Sequence, residues 1–273
     1  MTVAPQVTVV VPNYRTPELT RLCLRLLRKH TPAGRIAVVV VDNDSRDAST
    51  DYLRALSWIT LIERPRVEGE KPWVAHARAL DLAMTGVATP YVLSIHTDTL
   101  VRDPAWLDLL LAPLEADAAV AGAGSWKLEV GGRAWWRRAL KAAERQAQLA
   151  LLPLLGKGHG KIEGHGENYL YLRSHCAMYR TDALRRHGLT FAEGELPAGK
   201  ATHRRLEQAG YRMVFLDPDS LGRHVLHVNN ATMVLNAEFG GTRRFRGRGM
   251  RRIEQALALV DASAVLADER LDA

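Results

Sequence analysis

Two runs of β-branched residues, separated by one amphipathic segment, constrain the fold of this chain more than any other feature. Val7 to Val11 is a continuous β-branched run and Ile36 to Val41 a continuous apolar run, and both are typical of strands buried on both faces. The segment between them follows Thr16 and Pro17 and repeats its leucines at helical spacing, so it predicts a helix. A strand, a helix and a strand in this order predict a right-handed crossover between parallel strands.

The same alternation continues through the first half of the chain. Trp58 to Glu63 and Tyr91 to Ile95 predict two more strands, a helix from about Trp73 to Met84 lies between them, and another helix begins at Pro104. We therefore expect an α/β fold with a mostly parallel, Rossmann-like sheet flanked by helices.

The second half predicts a smaller, mixed region. Its strands are predicted over Ala118 to Ala123, Tyr169 to Tyr179, Tyr211 to Leu216 and Leu221 to Val228. Its helices are predicted over Arg133 to Leu152, Pro197 to Gly210 and residues 248–273, with an arginine cluster before the last of them. The polar segment Gly156 to Gly166 predicts a long loop of a kind that is often functional.

Charge and cysteine content narrow the classes of partner and compartment. Lys and Arg number 37 against 30 Asp and Glu, a formal net charge of +7 that favours an anionic partner. No base-reading or aromatic stacking motif accompanies this charge, which argues against nucleic acid. Two distant cysteines, Cys23 and Cys176, disfavour a disulfide scaffold and indicate a reducing cytoplasm. The sequence contains no signal peptide pattern and no apolar stretch long enough for a transmembrane helix.

Polar residues follow three of the predicted strands at the points where the strands end. They are Pro12, Asn13, Tyr14 and Arg15 after the first strand, Asp42, Asn43 and Asp44 after the second, and His96, Thr97 and Asp98 after the fourth. Ligands of open parallel sheets bind outside the carboxyl ends of the strands, so we expect these side chains to form one site. The first strand is followed by no GxGxxG motif and the chain has no GxxxxGKS or GxxxxGKT motif, which removes the dinucleotide-binding and P-loop interpretations.

Three segments resemble, in order and spacing, the signatures of family 2 glycosyltransferases: VTVVVPNYRTPELTRLCLRLL, VVVVDNDSRDAST and ATPYVLSIHTDTLVRDPAWL. Two later segments, SHCAMYRTDALRRHGL and LEQAGYRMVFLD, resemble the acceptor-side strand and helix of that family. The resemblance implies a GT-A fold and an inverting transfer of a sugar from a nucleotide diphosphate sugar. It also implies one domain over residues 1–273, with a nucleotide-sugar-binding half (1–115), an acceptor-side half (116–240) and a basic C-terminal helical segment (241–273).

The resemblance assigns nucleotide contacts to Pro12, Asn13, Tyr14, Asp42, His76, Arg78, His96 and Asp98. Tyr14 is expected near the base or ribose. Asp42 is expected to accept a hydrogen bond from the base, as a carboxylate can from a pyrimidine imide N–H, with a turn residue as the alternative. His76 and Arg78 are expected to meet the diphosphate, although a solvated helix face is an equal alternative for Arg78.

The segment His96-Thr97-Asp98 stands where the family has its D-x-D motif, whose later carboxylate contacts a divalent metal. Asp98 keeps that carboxylate, whereas His96 is a departure that suits Mn²⁺ better than Mg²⁺. Family members often add a late histidine. The candidates are His224 and His227, and residues three apart on a strand face opposite sides, so we expect only one of them to reach the metal. We prefer His227, which is followed by Val228, Asn229 and Asn230. The expected cofactor is Mn²⁺ or Mg²⁺, with Mn²⁺ favoured, and an ordinary buried histidine is the alternative for each imidazole.

The catalytic base is not evident from the sequence. Matching the family's RLxxxG motif to Arg205 to Gly210 places Ala198 and Gly199 where the acids of the family stand. One carboxylate must take the proton of the acceptor hydroxyl, and we expect Glu195 in the preceding loop to do so. The other candidates are Glu193 in the same loop and Glu163 and Glu167 in the segment of Gly156 to Gly166 and its flank.

Two basic stretches, Trp135 to Arg138 and Gly241 to Arg252, favour peripheral contact with an anionic membrane on its cytoplasmic face. The acceptor is then a glycan, a lipid-linked molecule or a small molecule, and helices with solvated arginines are the alternative. Two other functions are weighed. A sugar-phosphate nucleotidylyltransferase needs a glycine-rich basic loop after the first strand, which PNYRTPE is not. A nucleotide-sugar-binding protein without a base is favoured only by Ala198 and Gly199.

Overall fold

The computed structural model of the chain describes residues 4–128, 135–154, 162 and 164–273. It divides into two compact units, one of residues 1–130 with 172–273 and one of residues 131–171. These units do not coincide with the boundaries expected at residues 115 and 240, and the single-domain organisation stays a prediction.

Strands form two sheets in the described part of the larger unit. The larger sheet contains β1 (Val7–Asn13), β2 (Ile36–Asp42), β3 (Ile59–Glu63), β4 (Tyr91–Ile95), β6 (Val120–Gly124), β7 (Cys176–Arg180) and β8 (Arg212–Phe215). Its order is β3-β2-β1-β4-β7-β6-β8. Strand β7 is antiparallel to both of its neighbours and every other pairing is parallel. Strands β5 (Thr99–Val101) and β9 (Val225–His227) form a small antiparallel sheet. The expected mostly parallel α/β sheet is confirmed.

Helices cover both faces of the larger sheet. They are α1 (Pro17–His30), α2 (Ala48–Ala55), α3 (Pro72–Met84), α4 (Trp106–Ala116), α6 (Thr181–Arg186), α7 (Lys200–Gln208), α8 (Pro218–His224), α9 (Ala231–Leu235), α10 (Arg243–Leu259) and α11 (Ala262–Ala267). The smaller unit contains α5 (Trp135–Leu154). None of the described helices is long and apolar enough to cross a membrane.

Two hydrophobic clusters explain why the apolar run of β1 is continuous. Val9 belongs to the cluster that includes Leu22 of α1, whereas Val10 belongs to the cluster that includes Leu80 of α3. Side chains alternate between the two faces of a strand, so a strand with a helix layer on each face buries successive side chains, and the one polar residue within the run, Thr8, pairs its hydroxyl with that of Thr89.

Two expected elements of the second half are wrong in type or extent. Leu221 to Val228 was expected as one strand, but residues 218–224 form α8 and only Val225–His227 is a strand. Local capping decides this, because Asp217 accepts a hydrogen bond from Ser220 N and Pro218 begins the helix. The expected strand from Tyr169 to Tyr179 begins only at Cys176.

The arginine cluster lies inside α10 and not before it. Thr242 begins the helix by accepting a hydrogen bond from Phe245 N, so residues 243–252 form its first turns. Most of the loop expected over Gly156 to Gly166 lies outside the described residues, as does Glu163.

Candidate metal and nucleotide site

Three side chains with metal-binding atoms meet where β4, β5 and β9 come together. His96 and Asp98 lie in the short segment between β4 and β5, and His227 ends β9 opposite Thr99. Asp98 Oδ1 lies 3.2 Å from His227 Nε2 and 3.7 Å from His96 Nδ1. The side chains of Asp98 and His227 are each 6% exposed and that of His96 is 32% exposed, so the group opens toward solvent on the side of His96.

The Asp98 carboxylate is held in its charged form. Its second oxygen accepts a hydrogen bond of 3.2 Å from Ala231 N, at the start of α9. Burial by itself raises the pKa of Asp98, but the nearby imidazoles of His227 and His96 and the Ala231 N–H outweigh burial and leave that pKa well below its usual range. A buried charged carboxylate is stable only with compensating partners, and a cation is such a partner.

The group lies in a cluster of four imidazole rings, of which His96 and His227 belong to the group itself. The ring centroid of His96 lies 4.6 Å from that of His76 and 5.5 Å from that of His227. His175 stacks on His227 with centroids 4.2 Å apart and ring planes 8° apart. The hydroxyl of Ser174 lies 3.0 Å from His76 Nε2 and 3.1 Å from His96 Nε2, so it joins the two rings.

Three of the four imidazoles, those of His76, His96 and His175, are held neutral. Burial lowers the pKa of His76 to about 4 and lowers the pKa values of His96 and His175 well below the usual range. A neutral imidazole offers a nitrogen lone pair, which the protonated ring does not.

Buried imidazole nitrogens without hydrogen-bond partners are a second indication that the group fits a metal. Among the described residues, three buried ring nitrogens have no aligned hydrogen-bond partner. They are Nδ1 and Nε2 of His227 and Nε2 of His175. Buried polar atoms without partners are rare and costly. Two imidazole nitrogens and one carboxylate oxygen within 4.8 Å of one another therefore fit a divalent cation.

The structure brings His227 to Asp98 and leaves His224 elsewhere. His224 is the last residue of α8, and its Nδ1 lies 2.7 Å from Asp103 Oδ2. Its expected strand position was wrong, so the argument from opposite strand faces does not apply to it.

The ends of β1 and β2 are tied together by one buried hydrogen-bond network. Asn13 Nδ2 donates to Asp42 Oδ1 at 2.8 Å and to Ser49 Oγ at 2.9 Å. The Asp42 carboxylate also accepts from the Ser45 hydroxyl and, at 2.9 Å, from Thr50 Oγ1. The residues Asn13 and Asp42 are 0% and 2% exposed. The hydrogen bonds of this network already engage both side chains in holding the two loops together. Direct contact of Asn13 or Asp42 with a nucleotide therefore stays a prediction.

Tyr14 extends beyond this network and contacts the C-terminal part of the larger unit. Its hydroxyl donates to Glu238 Oε1 at 2.7 Å, and its ring lies edge-on to Phe239 at 5.9 Å. Arg15 pairs with the same carboxylate at 3.3 Å. Pro12 is buried and is the last residue but one of β1, so it shapes the end of that strand.

Arg78 and His76 lie on α3 but have different neighbours. Arg78 pairs with Glu70 at 2.8 Å, and Glu70 also pairs with Arg64 at 2.7 Å. Since Glu70 holds the Arg78 guanidinium in an ion pair that it shares with Arg64, contact of Arg78 with a diphosphate stays a prediction. His76 is joined to His96 through Ser174, which places it beside the metal-binding group.

The two loop carboxylates that were candidates for the base differ in their surroundings. Glu193 Oε1 accepts a hydrogen bond of 2.6 Å from Arg205. The Glu195 side chain is 60% exposed, and Lys71 Nζ lies 3.7 Å from its carboxylate. The indole of Trp73, one turn before His76 on α3, donates to Glu195 O at 3.0 Å. Glu167 lies in a short turn of the smaller unit.

Backbone geometry explains why no acid stands at residue 199. Gly199 has φ +82°, and a Cβ there would lie 3.0 Å from both Leu172 O and the Tyr179 hydroxyl. A side chain would therefore be strained by the backbone and crowded by both oxygens. Ala198 is 5% exposed, so a carboxylate at that position would be buried.

Ser174 and His175 were not identified from the sequence. They precede β7, which pairs antiparallel to β4 with Cys176 opposite Ile95. Only this antiparallel direction brings the beginning of β7 to the same edge as the end of β4. The available signal was the segment SHC before an apolar run, which by itself does not give the strand direction.

One family of known proteins matches most of this chain in sequence. A family model described as Glycosyl transferase family 2 matches residues 8–188. No curated protein shows significant sequence similarity to the chain.

Solved structures share the fold at low sequence identity. The mannosyltransferase PcManGT from Pyrobaculum calidifontis, in complex with GDP-Man and Mn²⁺, is 20% identical and covers 97% of this chain and 75% of its own, with a TM-score of 0.54. Glucosyl-3-phosphoglycerate synthase from Mycobacterium tuberculosis, in complex with Mn²⁺, UDP and glucosyl-3-phosphoglycerate, is 17% identical over 94% and 80% of the two chains, with a TM-score of 0.50. TarS 1–349 from S. aureus is 15% identical over 97% and 75%, with a TM-score of 0.53. The expected GT-A-type fold is confirmed.

The hydrogen-bond network at Asp42 predicts a measurable loss of stability. In Asp42→Asn, an amide N–H₂ faces donors that need an acceptor, so the free energy of unfolding should fall by about 1–3 kcal/mol. Asp44→Asn is the matched control. Asp44 has φ +61°, which Asn tolerates, and its carboxylate pairs with the exposed Arg46, so the change there should stay under about 0.5 kcal/mol. Urea unfolding of both variants measures this, and equal stabilities would contradict a structural role for Asp42.

Proposed function

The chain belongs to glycosyltransferase family 2, and on that premise we propose that it transfers a sugar from a nucleotide diphosphate sugar to an acceptor hydroxyl, with inversion and with the help of a divalent metal. The observation that carries the proposal is the buried group of His96, Asp98 and His227 at the end of β4. Nucleotide-sugar sites of α/β sheets lie at this edge.

The three side chains would hold the metal, and Mn²⁺ is favoured over Mg²⁺ as its identity. When bound, the metal supplies positive charge that stabilises the diphosphate as it leaves. The charged Asp98 attracts the cation, and the imidazoles of His96 and His227 provide nitrogen lone pairs. The fold-related mannosyltransferase and the fold-related synthase both contain Mn²⁺ with a nucleotide or nucleotide sugar, which supports this cofactor.

The donor would lie along the ends of β1, β2 and β4. Tyr14, at the end of β1, is in position to contact the base or ribose after its hydroxyl exchanges Glu238 for the ligand. Asn13 and Asp42 keep the two loops in place beneath the nucleotide, and Pro12 shapes the first loop. His76 would lie where the metal meets the diphosphate. Arg78 would reach the diphosphate only by breaking its ion pair with Glu70.

Glu195 is the proposed general base. A single displacement at the anomeric carbon needs one group that takes the proton of the acceptor hydroxyl as the new bond forms. Glu195 is exposed, and its backbone is held by Trp73, which lies on the same helix as His76. Glu193 is less suited because Arg205 occupies its carboxylate.

Two other functions have less support. A sugar-phosphate nucleotidylyltransferase is disfavoured by the absence of a glycine-rich loop after β1 and by the family match. A nucleotide-sugar-binding protein without transfer activity is favoured by one observation, which is that Ala198 and Gly199 leave no room for an acid there. Transfer assays with the wild-type chain separate this function from the enzyme.

The base assignment is tested by Glu195→Gln, which keeps the shape of the side chain but cannot accept a proton. We expect turnover to fall by about 10²–10⁴, the usual contribution of a general base, while donor affinity stays unchanged. The matched control is Glu193→Gln, which should cost little. A loss confined to Glu193→Gln would move the base to that residue. An unchanged turnover in both variants would contradict a base in this loop, and no transfer by the wild type over a broad screen of donors and acceptors would favour the binding protein.

The acceptor is proposed to be a glycan, a lipid-linked molecule or a small molecule reached at the cytoplasmic face of a membrane. On α10, the side chains of Arg243, Arg244, Arg248 and Arg251 are exposed, which suits an anionic lipid surface. The cysteines Cys23 and Cys176 are free and buried, in keeping with a reducing compartment. The side chains of residues 135–138 lie outside the described ones, so α10 alone supports the membrane contact.

Binding to lipid vesicles tests this contact. The triple variant Arg244→Gln, Arg248→Gln and Arg251→Gln should bind vesicles of phosphatidylglycerol about 100-fold more weakly than the wild type, at about 1 kcal/mol for each cation. The matched control replaces three exposed arginines elsewhere, Arg46, Arg212 and Arg270, by Gln. Equal losses in both triple variants would indicate nonspecific attraction. No binding of the wild type to anionic vesicles in sedimentation would contradict the proposed location.

A further inference from the structure

The donor set beside Asp98 contains more nitrogen than Mg²⁺ prefers. We propose that His96 binds the metal through Nδ1, that Ser174 and His76 hold it in the required tautomer, and that this arrangement makes the centre selective for a transition-metal cation over Mg²⁺. The inference rests on the proposed metal-assisted transfer, which already favours Mn²⁺ over Mg²⁺, and adds to it the ligand atom of His96 and two positioning residues.

Selectivity follows from the chemistry of the donor atoms. Two of the three atoms that face one another are imidazole nitrogens, His96 Nδ1 and His227 Nε2, and the third is Asp98 Oδ1. Mg²⁺ binds oxygen ligands in a rigid octahedral shell and keeps several waters. Divalent transition metals accept imidazole readily, and two histidines with one carboxylate form a recurrent site for them that leaves positions open.

Proton counting is consistent with the tautomer of His96 that ligation at Nδ1 requires. Ser174 Oγ lies within hydrogen-bond distance of Nε2 of both His76 and His96, but a hydroxyl has one proton to donate. One of the two imidazoles must therefore donate its own Nε2–H to Ser174. Ligation at His96 Nδ1 requires the proton of that ring to be on Nε2, so His96 donates to Ser174 and Ser174 donates to His76. This assignment gives both ring nitrogens and the hydroxyl a hydrogen-bond partner.

The backbone of residues 174 and 175 is fixed independently of any metal. Ser94 Oγ donates to Ser174 O at 2.7 Å, and Thr99 Oγ1 donates to His175 O at 2.9 Å. Each ligand ring thereby has a neighbour in a fixed position, Ser174 for His96 and the stacked His175 for His227. Partners behind the ligands orient the rings and raise metal affinity.

Metal titration of the full chain in the absence of donor tests the proposal. By calorimetry, the wild type should bind Mn²⁺ at least about 100-fold more tightly than Mg²⁺. Ser174→Ala should weaken Mn²⁺ binding by about 10–100-fold, while Ser174→Thr, which keeps the hydroxyl, should restore most of it. His96→Asp should raise the affinity for Mg²⁺ and bring the two affinities closer together.

Pulsed electron paramagnetic resonance of bound Mn²⁺ counts the nitrogen ligands, and a change in the stability of the protein does not alter that count. The wild type should show couplings to two ¹⁴N nuclei and His96→Asp to one. If His96→Asp fails to fold, the ¹⁴N couplings of the wild type and the pair Ser174→Ala and Ser174→Thr still decide the question.

Equal affinities of the wild type for Mn²⁺ and Mg²⁺, or coupling to a single ¹⁴N nucleus, would overturn the inference. Equal loss in Ser174→Ala and Ser174→Thr would overturn the role of the hydroxyl. The proposed transfer stands in all these cases if the wild type still moves sugar with Mg²⁺ or Mn²⁺, so failure of the inference and failure of the function are distinguishable.

Discussion

The antiparallel pairing of Thr99 with His227 is the interaction on which the site depends. It joins two short strands from distant parts of the chain, and it places His227 beside Asp98. The chain continues from His227 into α9, whose first N–H binds the second oxygen of Asp98. Without this pairing, the carboxylate would have neither its imidazole neighbour nor its backbone donor, and burial would favour its uncharged form.

The direction of β7 adds the remaining neighbours. Because β7 is antiparallel to β4, Ser174 and His175 reach the edge at which β4 ends. The result is a closely spaced group of imidazoles around one charged carboxylate, in which the buried ring nitrogens of His227 and Nε2 of His175 have no aligned hydrogen-bond partner in the described part of the chain. Such an arrangement costs the folded chain stability, and the proposed cation would satisfy the nitrogens and the carboxylate.

The parallel half of the sheet could be predicted because its signal is local: β-branched runs buried on both faces alternate with amphipathic helices, and polar residues follow each strand. The roles of those polar residues were less accessible, since the Asn13–Asp42 network and the Arg78–Glu70 pair join residues far apart in sequence or on different elements. Residues 218–224 became a helix because Asp217 and Pro218 form a local start signal that outweighed the apolar run. Strand direction, which brings Ser174 to His96, is set by tertiary packing and leaves no mark on the segment itself.

Metal-dependent nucleotide binding tests the central claim most directly. GDP and UDP are titrated into the wild type, into Asp98→Ala and into the matched control His224→Ala, whose imidazole pairs with Asp103 away from the site, each with and without Mn²⁺. At least one nucleotide should bind the wild type and His224→Ala about 10-fold or more tightly with Mn²⁺, because the cation compensates the diphosphate charge, and Asp98→Ala should show no such gain. Equal binding with and without Mn²⁺ in all three proteins would contradict a metal site at His96, Asp98 and His227.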